Sequence, residues 1–481
     1  MSWEPVRVEG LDADLNGLVN ALGANLDRKM ARNLLREAYY DSKLMVKQVT
    51  QVVPPAYSRL ALSLGWASKA VDGLANRCNL DAFTWPEGDL DGFGFAEFAD
   101  RNYLYSEING AIVSSFLYGP TFIVNTAGDP GAGEHSSLLH FRSAKDATGE
   151  WDPRARRVRN LLSIVARDSD SDPTAMVLHL DGETISMVLD EGRWVVSDWS
   201  THAYGLPVER MAFKPWMRPF GVSRISRPVM SIQDSAVRAL MRMEGHMDIY
   251  SFPEMWMLGA DSGIFKNKDG SLKPQWEVML GRIKGIPDDD NAANPRAEIK
   301  QFQASDPDSH LKQLNALAKL MARETSLPDA DFALSDYANP TSAEAYSESR
   351  DELIAEAEIA TDEFSVGLTR ALRRGLAIAN NDPSAYDALA GVEAKWRSPL
   401  HMSRASQADA GMKQLSAVPW LADTEIGLEL LGLSDQQIRR ALAERRRVQG
   451  RALLERLSGE RGDNGATDPS AAAPEVDQPD Q

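Results

Sequence analysis

Three aspartates at alternate positions, Asp168, Asp170 and Asp172, are the first residues in this chain whose type and spacing could do chemistry. Alternating carboxylates can converge on a divalent cation, and such an ion could activate water for hydrolysis. A D-x-D-x-D cation loop needs a glycine after the third aspartate and a distal glutamate, and here Pro173 follows. A solvated turn between two strands explains the cluster without a metal. Asp288, Asp289 and Asp290 follow Pro287 and also suit a loop. The seven histidines (135, 140, 179, 202, 246, 310 and 401) fall in no zinc-ligand spacing; His135 and His140 are close in sequence but lack a third partner. The glycine-rich stretch AGDPGAGEH lacks the G-K-[ST] ending of a phosphate loop. No G-x-S-x-G elbow occurs. The single cysteine, Cys78, excludes an intramolecular disulfide framework and suits a small buried core residue. No catalytic constellation, metal site or cofactor site is expected.

Lys312, Lys319 and Arg323 are a different case. Spaced by seven and four residues, they share one face of a helix, away from Leu311 and Leu314. The row is either a solvated charged face or a weak line of phosphate contacts. The net charge of −18 argues against a protein that grips nucleic acid, which needs a basic face. Acidity serves solubility; an acidic wall beside DNA would also repel phosphates and let a duplex slide. Composition leaves both open.

The elements that must position these residues are mostly helical. With 481 residues, 43% of them hydrophobic, the chain can bury a sizeable core and suggests roughly three domains. It has no apolar run of 18 residues, so no transmembrane helix is expected, and MSWEPVRVEGLDADL lacks the apolar region of a signal peptide. Helices are predicted over 25–47, 57–77 and 94–117. Between 161 and 199, LLSIVA, AMVLHL, TISMVL and RWVVSDW read as strands of an antiparallel meander, with turns at Asp181-Gly182 and Glu191-Gly192. AFKPWMRPFG closes that unit. A helix follows over 228–247, with Val229, Ile232, Ala236, Leu240 and Met243 on one stripe. Residues 248–305 interrupt the helical pattern and contain a turn at Lys268-Asp269-Gly270. Asp306 and Pro307 start a helix that must stop before Pro328. Thr341 and Glu344 form a capping box for a helix running to about Ala379, with Leu353, Ala357, Ala360, Phe364, Leu368 and Ala371 on its stripe. Helix is expected again over 403–457, then a disordered tail over 458–481.

The order of these elements resembles that of the portal proteins of tailed bacteriophages, of the type found in siphophages of actinobacteria. REAYYDSKL followed by GWASKAVDGLANRCNLDAF is similar to the family's N-terminal pattern. DYANPTSAEAYSESRDELIAEAE resembles its tunnel loop and the start of its spine helix. KWRSPLHMSRASQADAGMKQL and GLELLGLSDQQIRRALAERRR resemble its C-terminal region. Together these span most of residues 30–450. The resemblance implies a mainly helical α+β portal fold with a small antiparallel β meander. Its parts would be a wing (1–227), a stem helix (228–247), a clip (248–305), a second stem helix (306–327), a tunnel loop (328–340), a spine helix (341–380) and a crown (381–457). It also implies a structural, non-enzymatic subunit of a ring of about a dozen copies, a dodecamer at one vertex of the virion. The ring would contact major capsid and scaffolding proteins, assemble in the host cytoplasm and involve no membrane. Double-stranded DNA would pass through without sequence specificity. Asp336, Tyr337 and Asn339 of the tunnel loop would lie nearest that DNA, with Lys312, Lys319 and Arg323. Lys266, Lys268, Asp269, Trp276 and Arg282 of the clip would meet the terminase large subunit and the head–tail adaptor. The tunnel loop carries Asp329, Asp331 and Asp336 and no Lys or Arg, which suits a guide better than a lever. Two other readings stand beside this one: a metal-dependent nuclease or hydrolase using Asp168, Asp170 and Asp172, and a different helical capsid or scaffolding component.

Overall fold

The computed structural model describes residues 3–43, 62–250, 255–258, 267, 269–271, 283–286, 298–301, 306–332, 350–400, 404–433 and 435–462. The chain divides into two units, 1–399 and 400–481.

The first unit opens with β1 (Val8–Glu9) and α1 (Ala13–Tyr40). The helix starts twelve residues before the predicted Asn25. Gly17, Gly23, Asn16 and Asn20 lower its propensity, but tertiary bonds override that. Asp12 caps it by accepting the Leu15 N–H at 2.7 Å. Asn20 Oδ1 accepts the Val6 N–H and Asn16 Oδ1 the Val8 N–H, both at 2.8 Å, so the two asparagines clamp the incoming strand. Gly23 lies against the Trp3 ring, where a Cβ would clash at 2.1 Å.

The helix predicted over 57–77 is shorter, α2 (Trp66–Ala75), with residues 62–64 outside it. Its buried face of Ala67, Ala70, Val71 and Leu74 leads through buried Cys78 to β2 (Leu80–Thr84). Burial pushes the Cys78 thiol up to about 12, so it stays protonated and inert.

The single helix predicted over 94–117 is two helices, α3 (Phe95–Arg101) and α4 (Leu104–Tyr118). Asn102 causes the break: its amide donates to Phe98 O and Ser137 O and accepts the Leu139 N–H at 2.7 Å. Tyr103 then turns the chain at φ 49°.

The strands exceed the expected meander. β5 (Ala147–Asp152), β6 (Arg157–Arg167), β7 (Pro173–Leu180), β8 (Glu183–Asp190) and β9 (Arg193–Thr201) form a six-stranded sheet in the order β1-β9-β8-β7-β6-β5, with β1 joining β9 in parallel. Gly182, Glu191 and Gly192 take positive φ at the two predicted turns. Leu162, Met176, Leu178, Ile185 and Met187 face Val19 and Leu22 of α1. β3 (Pro120–Ala127) and β4 (Ser137–Ser143) join β10 (Val208–Ala212) in a second sheet, order β10-β3-β4. β3 is buried along its first six residues, so it shows no alternation to read.

Next come α5 (Arg227–Tyr250), three short strands β11 (Met255–Leu258), β12 (Ile283–Ile286) and β13 (Glu298–Gln301), and α6 (Asp308–Thr325). α7 (Asp351–Ala379) follows. Residues 341–349 and the predicted capping box lie outside the described residues. The described 29 residues of α7 span about 43 Å. The stripe read from the sequence, including Leu353, Phe364 and Leu368, is buried against Phe116 of α4 and Met211 of β10. A short helix, α8 (Ala385–Ala388), leads to β14 (Glu393–Trp396), which pairs antiparallel with β2.

The second unit contains α9 (Arg404–Ala417), α10 (Glu425–Leu430) and α11 (Asp435–Gly462). The helical region predicted over 403–457 is made of these three helices, separated at Pro419 and again at Gly432 (φ 82°). α11 also runs five residues into the expected tail.

Candidate functional site

The strongest arrangement in the first unit is the pair α5 and α6 and the joint that roots it. Ser226, just before α5, donates to Glu324 near the end of α6 at 2.9 Å. At the other end His246 and His310 meet edge-to-face with ring centroids 5.2 Å apart. The helices are therefore antiparallel, one running out and the other back. Val229, Ala236, Val237 and Met241 of α5 and Ala318, Met321 and Ala322 of α6 are buried.

Arg224 fixes the root. Its side chain is 4% exposed. Nε donates to Ala70 O of α2 at 2.6 Å, Nη2 to Thr325 O at the end of α6 at 2.5 Å, and Nη1 to Glu356 Oε2 of α7 at 2.6 Å. Lys214 Nζ reaches the other Glu356 oxygen at 2.7 Å. Burial alone would raise the Glu356 carboxyl; Arg224 and Lys214 outweigh it and hold the group below the usual carboxylate range. One guanidinium thus ties α2, α6 and α7 together where the pair leaves the core. Two bonds add to it. Gln233 Oε1 accepts the Ala67 N–H at 2.7 Å, and the Tyr39 hydroxyl donates to Asp234 at 2.9 Å. Burial and that bond push the Tyr39 hydroxyl up to about 12. The sequence reading missed this joint. Its only signal was a lone Arg224 between Val222 and Ile225, since a cation in an apolar setting demands partners.

The predicted basic row lies on α6, with all three residues exposed. Lys312 is ion-paired with Asp308 of its own helix. Lys319 and Arg323 have no ion pair among the described residues. Past α6, Asp329 and Asp331 begin the expected tunnel loop in a tight turn. Leu327 packs on Gly73 of α2 and the Phe332 ring meets Trp66 at 5.8 Å, so the start of the loop is pinned to α2. Asp336, Tyr337 and Asn339 lie outside the described residues. So do Lys266, Lys268, Trp276 and Arg282. Asp269 sits in a turn, its Oδ1 accepting the Ser271 hydroxyl at 2.6 Å. That bond holds its carboxyl below the ordinary value. β11 lies between β12 (parallel) and β13 (antiparallel), so a small sheet occupies the segment expected as a clip.

Asp168, Asp170 and Asp172 form the turn between β6 and β7. Asp168 Oδ1 accepts the Asp170 N–H at 3.0 Å and the Asp172 N–H at 2.8 Å, so that oxygen closes the turn on its own backbone. Among the described residues no group of three or more His, Cys, Asp or Glu side chains is arranged to hold a metal ion. His135 bonds to Ser137, whereas His140 lies opposite Val124 in the second sheet; the structure does not join them. No described helix is long and apolar enough to cross a membrane.

The family model for "Phage portal protein, SPP1 Gp6-like" matches residues 21–451. The chain belongs to the phage portal protein family. It is 24% identical over 384 residues to the portal protein of Mycobacterium phage L5, covering 78% of this chain and 77% of that one. Identity to the portal protein of Mycobacterium phage D29 is 23% over the same length and shares. Among solved structures it is similar to chains in the neck of an empty gene transfer agent particle computed with C6 symmetry (16% identity, TM-score 0.42, 77% of this chain and 90% of that one). A neck of the native particle computed with C12 symmetry matches at 16% identity and TM-score 0.41, over 76% and 89%. Membership of the portal family gives this chain the portal fold, here a mainly helical α+β chain with small sheets, and a structural role.

Proposed function

We propose that the chain is one subunit of a closed ring of about twelve copies at a capsid vertex, and that α5 and α6 line an axial channel for double-stranded DNA. The observation that carries this reading is the antiparallel pair itself, extending from a core to which Arg224 rigidly ties it. A channel wall must transmit load from the wing (1–227) and the spine helix without bending, and a buried guanidinium with partners on three elements supplies that stiffness. α5 and α6 are the stem, the small sheet between them is the clip, residues 328–340 are the tunnel loop, and 381–457 contribute to the crown.

The channel requires little chemistry. With Lys312 neutralised by Asp308, each subunit offers only Lys319 and Arg323 as free cations in the row. Two phosphate contacts per subunit give a weak, sequence-independent and salt-sensitive hold that lets a duplex slide. The overall negative charge opposes tighter adhesion, within a screening length of about 10 Å. Tyr337 and Asn339 of the tunnel loop, with Asp336, guide DNA rather than pull it; ATP hydrolysis belongs to the terminase motor. Lys266, Lys268, Asp269, Trp276 and Arg282 of the clip meet the terminase large subunit during packaging and the head–tail adaptor afterwards. The ring assembles with major capsid and scaffolding proteins in the host cytoplasm and remains in the virion.

Negative-stain microscopy and sedimentation of the purified full-length chain test this reading. Rings with an axial hole are expected. A monodisperse monomer at every concentration and ionic strength would overturn it.

A further inference from the structure

Two exposed surfaces of the first unit carry unpaired charge of opposite sign. The first lies on α1 and the loop after β10. Arg28 and Arg32, one helical turn apart, are exposed, and no ion pair among the described residues neutralises them. Arg36 continues the stripe and donates to Tyr118 O at 3.0 Å. Its guanidinium is pushed down to about 10 by burial and then by Arg32 and Arg218, which places the exposed Arg218 beside the same stripe. Lys29 is likewise lowered by burial, Arg32 and Arg28. This is a crowd of cations in a chain of net charge −18. Large apolar side chains accompany it: Leu35 is 42% exposed, Met217 56% and Trp216 73%.

The second surface is the outward stripe of α7. Asp351, Glu352, Glu358 and Asp362 are exposed, with no ion pair among the described residues. Within the stripe Ile359 is 54% and Val366 52% exposed. By contrast Glu356 and Glu363, on the inward side of the helix, are engaged by Lys214. An apolar centre flanked by like charges is the composition of a contact surface, and each surface has what the other lacks.

We propose that the acidic stripe of α7 in one copy seats on the Arg28–Arg32 face of α1 and the Trp216–Arg218 loop in the next copy. Because the two surfaces lie on different elements, the acidic stripe of each copy can seat on the basic face of the next, a head-to-tail contact that builds a ring when its rotation closes. The inference rests on the ring reading above and names the surface that builds the ring. Self-complementarity on one chain favours a second copy over nucleic acid, which would use the cations and leave the exposed acidic stripe and Trp216 without a role.

The experiment is charge reversal with mixing, on the full-length chain under conditions where wild type forms rings. Arg28→Glu with Arg32→Glu reverses the charge at the two exposed positions central to the first surface; Glu358→Lys with Asp362→Lys reverses it at the two central to the second. Each variant alone is expected to raise the concentration for half-assembly, by sedimentation velocity, more than about tenfold. An equimolar mixture is expected to restore rings, since every contact then joins opposite charges in alternation. Restoration also shows that both variants fold. If each reversed variant assembles like wild type, or if the mixture fails to recover, this contact is wrong while the ring reading stands. The same holds if Arg28→Glu with Arg32→Glu loses only DNA binding and still forms rings. A wild-type chain that never forms rings overturns the ring reading, and this inference with it.

Discussion

Replacing Arg224 by methionine removes the cation that ties α2, α6 and α7 together while keeping most of the side-chain volume. Three acceptors then lose their donor: Ala70 O, Thr325 O and one oxygen of Glu356. Lys214 remains on Glu356, but its side chain is 33% exposed and reaches only the other oxygen. Removing one partner of a buried, hydrogen-bonded charge pair costs about 3–5 kcal/mol, because the remaining charge stays buried. With an unfolding entropy of roughly 2.1 cal/mol/K per residue, a unit of 399 residues should melt about 4–6 °C lower. The pH dependence follows from the depressed Glu356 carboxyl. Its folded value lies below its unfolded value, so its stabilisation is fully present above the unfolded carboxylate range. It is lost as pH falls through the folded value. Arg224→Met should therefore flatten the acid side of the stability profile, as pH falls from the ordinary carboxylate range through the lowered folded value. Scanning calorimetry of the single variant, of Glu356→Leu and of the double variant measures both effects. The double variant should recover part of the loss, since no lone charge is then left buried. A single variant within about 1 °C of wild type, or a double variant as unstable as the sum of the singles, would refute the reasoning.

Other expectations follow from equally local geometry. Gly367→Ala should cost more than about 1–3 kcal/mol, because a Cβ there would lie 2.2 Å from Arg210 O where α7 crosses β10; urea unfolding reads it. Lys319→Ala with Arg323→Ala should lower the slope of log affinity against log salt for ring-bound duplex by about 2 for each subunit that contacts the DNA, with no change in base preference; an unchanged slope would remove the pair from the channel. Asp170→Asn should leave divalent-ion calorimetry indistinguishable from wild type, since the aspartate turn is closed by Asp168 on backbone N–H groups; a lost binding signal would reopen the hydrolase reading.

How much of this could be read from the sequence depended on the range of the forces involved. The α7 stripe was legible because a single helix with apolar residues every three or four positions buries them wherever it docks, and Leu353, Phe364 and Leu368 are all buried. The turns at Gly182 and Gly192 were legible because positive φ selects glycine locally. The start of α1 was not, since its glycines and asparagines argue against helix and only the clamp on Val6 and Val8 explains them. Nor was the break at Asn102, whose partners Ser137 and Leu139 lie on a strand that buried β3 hides. The Arg224 joint brings together residues 154, 101 and 132 positions apart, a relation that no local pattern encodes. The row at Lys312, Lys319 and Arg323 was legible as a face, but not as one whose first member is already paired.

Density from electron cryomicroscopy of the assembled ring, viewed along its symmetry axis, tests the central claim most directly. The account requires α5 and α6 of every subunit to stand as an inner palisade around an open hole, with Lys319 and Arg323 on its surface and the Arg224 joint at its outer root. Density that places this helix pair on the ring's periphery, or folds it across a closed centre, would contradict it.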